Sequence, residues 1–336
     1  MTRSQRPVPT LEIPTLADVF DARKRIRPHL PRTPLYEYDA LSELVGTRIW
    51  VKHENHQPVG AFKVRGGVNL VSQLDEDDRM RGIITASTGN HGQSIAFAAR
   101  LFDVQATVCV PVGANPVKVN TIRTLGAEII AHGADFDEAR EHCEHLAAKR
   151  GHRYVHSGDE PMLIAGVATE TLEIFEDQPT VDTVIVPIGG GSGAAGACIV
   201  AKAMQSGVRV IGVQSEAAPA AYRSWKAGQL LEDKMETFAE GLATRVAFEL
   251  PQRILRQQLD DFVLVSDDEI RSAMVSMITV TRNLTESAGA APLAAAFRFR
   301  SELKGRSVAL ICSGGNISPS QACDVIASSS ALSGTC

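Results

Sequence analysis

Gly82-Ile83-Ile84-Thr85-Ala86, followed at once by Ser87-Thr88-Gly89-Asn90-His91-Gly92, decides the fold of this chain. The first five residues are apolar or β-branched, as a buried strand requires, and a helical run from His91 to about Phe102 follows the polar turn. A strand that passes through a short turn into a helix is half of a βαβ unit, so the next strand should lie parallel to the first.

The pattern repeats in both directions. Downstream, strands are expected over 105–110, 128–131, 153–155, 181–186, 208–213 and 307–312, separated by helices over 116–125, 135–149, 162–175, 194–204, 267–281 and 292–303. Upstream, Thr15 caps a helix reaching about Pro28, residues 47–52 form a strand, and a helix runs from Phe62 to about Leu74. This spacing predicts an α/β protein with two parallel-rich, twisted sheets covered by helices on both faces. The expected division is a smaller domain at 76–153 inserted in a larger, discontinuous one made of 1–75 and 154–336. Residues 1–14 read as irregular, 228–259 as helices without definite bounds, and the serine-rich 327–336 as a disordered tail.

Composition narrows the function. With 336 residues, 44% apolar and 22% charged, the chain can bury a large core. A net charge of -5 offers no broad basic surface, so nucleic acid is not an expected partner. No apolar run approaches a membrane span, and the six cysteines (Cys109, Cys143, Cys198, Cys312, Cys323, Cys336) show no Cys-x-x-Cys pair. The expectation is a cytoplasmic protein with reduced thiols and no membrane association. His142 and His145, three residues apart on a helix, read as a solvated face rather than as metal ligands.

Four stretches can carry chemistry. In Gln57-Pro58-Val59-Gly60-Ala61-Phe62-Lys63-Val64-Arg65-Gly66-Gly67, a tight turn seats Lys63 at the mouth of an apolar helix, where burial disfavours the ammonium and leaves an amine able to form an imine. The turn Ser87 to Gly92 offers hydroxyls, an amide and helix N-terminal donors to a carboxylate. Pro187-Ile188-Gly189-Gly190-Gly191-Ser192-Gly193 removes side chains where an oxyanion must approach, without the ending of a nucleotide P-loop. Cys312-Ser313-Gly314-Gly315-Asn316 ends the last strand, and Ser313 offers a neutral hydroxyl to a ring nitrogen. Taken singly, each has a plainer reading: a solvated lysine, a capped connection, glycines for close packing, a turn.

Taken in order, these motifs resemble the β-family, or fold type II, pyridoxal-phosphate enzymes, most closely the threonine/serine dehydratases and serine racemases, over residues from about 15 to 325. The resemblance implies that Lys63 binds the cofactor as an imine, with Phe62 beside it. It implies that Asn90 bonds the 3-hydroxyl, that Gly189, Gly190, Gly191, Ser192 and Gly193 hold the phosphate, and that Ser313 faces the pyridine nitrogen. Ser87, Thr88, Gly89, Asn90 and His91 would take the substrate carboxylate, and Glu286 would lie near the ring. The implied activity is β-elimination from a 3-hydroxy amino acid (threonine, serine or a bulkier analogue), giving a 2-oxo acid and ammonia, with Lys63 moving the Cα proton. The implied assembly is a homodimer or larger homo-oligomer.

Departures from the family pattern add expectations. Thr88 stands where racemases of the group place a second proton-transferring serine, so racemisation ranks below elimination. A β-replacement enzyme and a catalytically silent amino-acid-binding protein are further alternatives. Gln214, Ala218 and Ala220 lack the acidic groups of the family's divalent-metal site, so no metal is expected. Gly158 stands where an aromatic is usual, which predicts extra room near the substrate's β-carbon.

Overall fold

The computed structural model describes residues 11–87, 89–114, 116–134 and 136–332. Ten strands build two sheets: β1 (Leu35–Glu37), β2 (Arg48–His53), β3 (Ile83–Ala86), β4 (Ala106–Val110), β5 (Glu128–Ala131), β6 (Arg153–Tyr154), β7 (Thr183–Pro187), β8 (Arg209–Ser215), β9 (Asp261–Val265) and β10 (Ser307–Cys312). The larger sheet has the order β1-β2-β10-β7-β8-β9 and the smaller β5-β4-β3-β6. Every pairing is parallel except that of β1 with β2.

Alternation along the central strands shows why the larger sheet needs helices on both faces. Val184, Val186, Val210, Ala309 and Ile311 enter one apolar cluster, while Ile185, Ile211, Val213, Val308 and Leu310 enter the other. Both sets are buried, so these strands read as continuous apolar runs. In the smaller sheet, Ile83 shares a core with Ile95 and Ala98 of the helix Asn90–Leu101 and with Val64, Val68 and Leu70 of the helix Lys63–Val71. These two helices touch where Gly67 faces Ser94, since a Cβ on Gly67 would come within 2.7 Å of the Ser94 carbonyl oxygen. The helix that carries the lysine is thereby packed against the smaller sheet.

Several elements differ from the sequence expectation, each for a local reason. The run at 162–175 is two helices, Pro161–Val167 and Thr169–Asp177, meeting at Ala168, where a Cβ on Gly196 of the neighbouring helix would lie 2.9 Å from the Ala168 Cα. The helix assigned to 292–303 is Ser287–Arg298; Pro292 lies inside it rather than opening it. Within 228–259, residues 229–248 hold only the single turn Glu240–Leu242 as helix, and a regular helix follows at Glu249–Gln258. The stretch read as a disordered tail is helical up to Leu332, in Pro319–Leu332, anchored by Val325 in the larger core. Residues 1–10 and 333–336 lie outside the described residues. The cap at Thr15 is as expected, with a reciprocal capping box to Asp18 opening Leu16–Ile26.

Candidate active site

A short seam joins two stretches about 250 residues apart. Ala61 pairs with Gly314 in an isolated antiparallel bridge, Phe62 N–H donates to the Ser313 carbonyl at 3.0 Å, and Gly315 N–H donates to the Gly60 carbonyl at 2.9 Å. Gly60 makes the turn possible, because its φ of 69° is left-handed and a Cβ there would meet Asn316. Lys63 therefore starts its helix beside the end of β10.

Its amine crosses to the glycine stretch. Lys63 Nζ donates to Ser192 Oγ at 2.8 Å and to the Ser157 carbonyl at 3.2 Å, and stands 5.4 Å from the Phe62 ring centroid. Burial pulls the amine down to about 8 from its ordinary 10.5, against the opposing pull of the Glu170 carboxyl. The neutral amine is accessible near physiological pH, as a nucleophile requires.

Residues 189–191 form a loop that runs into Ser192 and Gly193, the first residues of the helix Ser192–Met204. Gly191, at φ 92°, is its left-handed cap. Side chains at Gly189 and Gly190 would run into the Gly241 carbonyl and the Phe248 ring, while a Cβ on Gly193 would lie 3.1 Å from Phe62. The walls thus close on the backs of the glycines, and the first-turn N–H groups, which a helix does not satisfy internally, line an anion site.

A polar cluster sits on the other side of the seam. Asn90 Nδ2 donates to Glu286 Oε1 at 2.8 Å, and Asn316 Nδ2 donates to Asn90 Oδ1 at 2.8 Å and to the Val59 carbonyl at 2.8 Å. Glu286 lies against Gly314, where a Cβ would come within 2.5 Å of its Oε1. Burial pushes the Glu286 carboxyl up to about 7, although Lys118 and the Asn90 hydrogen bond hold it down. Ser313 is buried at the end of β10.

In the turn after β3 the side chains divide between ordering the turn and facing the protein interior. Ser87 Oγ accepts Gly89 N–H at 3.2 Å and Gly92 N–H at 2.9 Å, so it orders the turn. The His91 imidazole points away, into the protein: Thr85 Oγ1 donates to the Val155 carbonyl at 2.8 Å, so His91 Nε2 must donate to Thr85 Oγ1 at 2.9 Å. Burial pulls that ring down to about 3, and it is neutral. His91 can offer a carboxylate its backbone N–H but not its side chain. Thr88 lies outside the described residues.

Sequence reasoning missed Phe248, Ser157 and Glu170. Phe248 lies at the end of an irregular segment, yet its ring packs edge-on to His156 at 4.7 Å and fills the space in front of both Gly158 and Gly190. The room expected from Gly158 is therefore occupied by an aromatic from elsewhere in the chain. Beneath the site, Arg65 binds Glu54 at 2.7 Å and Glu173 at 2.8 Å, and Lys52 binds Glu173 at 2.6 Å, all buried. This charge-balanced group fixes the lysine's helix to the larger sheet, because every partner lies on a different element.

A nucleophilic amine, a glycine anion loop and a polar cluster on one seam define an enzyme that works through a phosphorylated aldehyde. The chain belongs to the pyridoxal-phosphate dependent enzyme family, whose pattern matches residues 26–314. It is 38% identical to the L-threonine ammonia-lyase of Thermotoga maritima over 305 residues, covering 90% of this chain and 76% of that protein. It is 35% identical to the catabolic L-threonine dehydratase TdcB of Staphylococcus aureus strain N315, covering 97% and 96% of the two chains. The structure of serine racemase from Dictyostelium discoideum superposes with a TM-score of 0.86 at 33% identity, over 90% of this chain and 99% of that one. The residues present suit the cofactor: the Lys63 amine meets the anion loop at Ser192, and side chains are excluded from the loop at Gly189 and Gly190.

Proposed function

We propose that this protein is a pyridoxal-phosphate-dependent lyase that removes water from a 3-hydroxy amino acid of serine or threonine size and releases a 2-oxo acid and ammonia. The observation that carries the reading is the Lys63 amine, held within 2.8 Å of the glycine loop's Ser192 and lowered toward neutrality. The threonine ammonia-lyase and dehydratase names of the relatives support the same reaction.

When bound, the cofactor supplies an aldehyde for the substrate's amine and a ring that accepts the electron pair left at Cα. The protein's share is positional and protonic. Lys63 would be the base that takes the Cα proton. The β-hydroxyl would leave as water, its proton balanced by the one taken at Cα, and the enamine released hydrolyses to the 2-oxo acid and ammonia. Gly189, Gly190, Gly191, Ser192 and Gly193 would hold the phosphate through N–H groups and one hydroxyl, with Phe62 beside the ring. Asn90, fixed by Glu286 and Asn316, orients the ring's hydroxyl side. Ser313 gives the ring nitrogen a neutral partner, which favours prompt elimination over longer-lived carbanion chemistry. The first-turn N–H groups of Asn90 and His91 would receive the substrate carboxylate, in a turn that Ser87 Oγ orders by accepting Gly89 and Gly92 N–H.

Among the described residues no helix is long and apolar enough to cross a membrane, and the described cysteines are all free. The family resemblance is the ground for proposing a cytoplasmic homo-oligomer. The test is a panel of L- and D-3-hydroxy amino acids assayed for 2-oxo acid and ammonia. Recovery of the opposite enantiomer without 2-oxo acid would replace the lyase reading with a racemase; need for a second nucleophile would indicate β-replacement. Binding without turnover would leave an amino-acid-binding protein.

A further inference from the structure

Glu170 is the carboxyl group among the described residues whose two oxygens are both buried without a hydrogen-bond partner. It is 1% exposed and belongs to the helix Thr169–Asp177. Its Oε1 lies 3.6 Å from the point that a Cβ on Gly193 would occupy, against the first turn of the helix whose N-terminus ends the glycine loop. The mechanism above makes no use of it.

The charges facing Glu170 come from four elements. Lys52 on β2, Glu54 in the turn after it, Arg65 on the lysine's helix and Glu173 on its own helix form a closed group of two cations and two carboxylates. Lys63 turns its amine to Ser192 and Ser157. Lys52 and Arg65 are thus committed to other carboxylates, and Lys63, which a charged Glu170 would hold protonated, makes no hydrogen bond to it. Burial, with the charges of Glu54 and Glu173 added, raises Glu170 well above the usual carboxyl range against the pull of Arg65 and Lys52.

We propose that Glu170 is a positioning residue of the phosphate loop that must be a neutral acid for the cofactor to be held. The proposal rests on the reading of residues 189–193 as the phosphate site. An ionised Glu170 would set a negative charge under the peptide groups that take the dianion, in surroundings where water screens little. Cofactor affinity and deprotonation of Glu170 therefore oppose each other: raising pH weakens binding through this residue, and a neutral replacement removes that dependence.

The test is equilibrium binding of pyridoxamine phosphate, which forms no imine, between pH 6.5 and 10. Lys63→Ala is carried in every protein so that its amine does not titrate. The Lys63→Ala chain should lose about tenfold or more affinity over this range relative to Lys63→Ala/Glu170→Gln, since one linked proton costs up to about tenfold for each pH unit between its free and bound titrations. Lys63→Ala/Glu170→Leu serves if the Gln variant does not fold. Pyridoxamine without the phosphate should show no such difference between the proteins. Parallel pH curves with pyridoxamine phosphate, or an equal difference with pyridoxamine, overturn the proposal while leaving the cofactor site intact. Absence of pyridoxamine phosphate binding at every pH sinks the phosphate-loop assignment itself, and Glu170's role with it.

Discussion

Lys63 and Ser192 are 129 residues apart in sequence, and their side chains share a 2.8 Å hydrogen bond. That bond connects the reactive amine to the anion loop. Replacing Lys63 with Ala should abolish turnover and the visible absorbance of the bound cofactor. Ser192→Ala should retain the colour and lower cofactor affinity by about 5- to 20-fold, the worth of one hydrogen bond at an anion site. A titration that finds Ser192→Ala as tight as the parent would remove Ser192 from the phosphate site.

The lowered amine also sets a pH dependence. Below about 8, Lys63 in the cofactor-free protein is an ammonium and must lose its proton before it can attack an aldehyde. The rate of cofactor capture should rise with pH and level off above that value. Stopped-flow absorbance measures this; a rate that is flat from pH 6 to 9 contradicts the depressed value.

Glu286 works with the opposite sign. Its carboxyl is raised from 4.5 to about 7 in the folded protein, so the unfolded chain ionises first and stability falls as pH climbs between those values. Above pH 7 the cost levels off, at no more than about 3 kcal/mol. Glu286→Gln should therefore gain stability relative to the parent as pH rises from 5.5 to 8, as read by urea unfolding of the cofactor-free proteins. A constant difference across that interval counts against the assignment.

Phe248 closes the space that Gly158 leaves open. Phe248→Ala should raise the ratio of 3-phenylserine to threonine turnover by about tenfold or more, since a ring-sized void opens beside the site, at a stability cost of about 2 kcal/mol for a half-buried ring. An unchanged substrate ratio in a folded variant would mean that this ring does not border the substrate.

Arg65 tests the buried charge group. Arg65→Ala leaves Glu54 and Glu173 without their main partner and should destabilise by about 3–5 kcal/mol. Chemical denaturation that shows less than about 1 kcal/mol, within the range of exposed ion pairs, would mean the group contributes little.

Much of the site was legible in the sequence because its parts are local. A glycine loop between a strand and a helix needs only neighbouring residues to be recognised, and Lys63, Asn90, Ser192 and Ser313 each sit in such a motif. The Glu286–Asn90 contact rests on partners 196 residues apart, and the sequence placed Glu286 only through the family resemblance. The sequence left open how His91 takes part, because its position in the turn does not fix its ring, which the hydrogen bond to Thr85 draws inward. The helix Ser287–Arg298 was misplaced because Pro292 reads as a first-turn residue, whereas the packed alanines around it hold the helix through the proline.

By itself the sequence determined the parallel two-sheet architecture, because apolar strands and amphipathic helices alternate at a spacing that only crossover connections satisfy. It also pointed to the cofactor, because four local motifs together match what that group requires, and to the reaction through the family resemblance those motifs carry. Tertiary structure alone decided which wall faces the site. Phe248 comes from an irregular segment with no periodic signal, and its place depends on the steric vacancy at Gly158 and Gly190. It also decided that Glu170 has no partner, since the cations near it were already bound to Glu54 and Glu173, a balance that exists only once four elements are packed together.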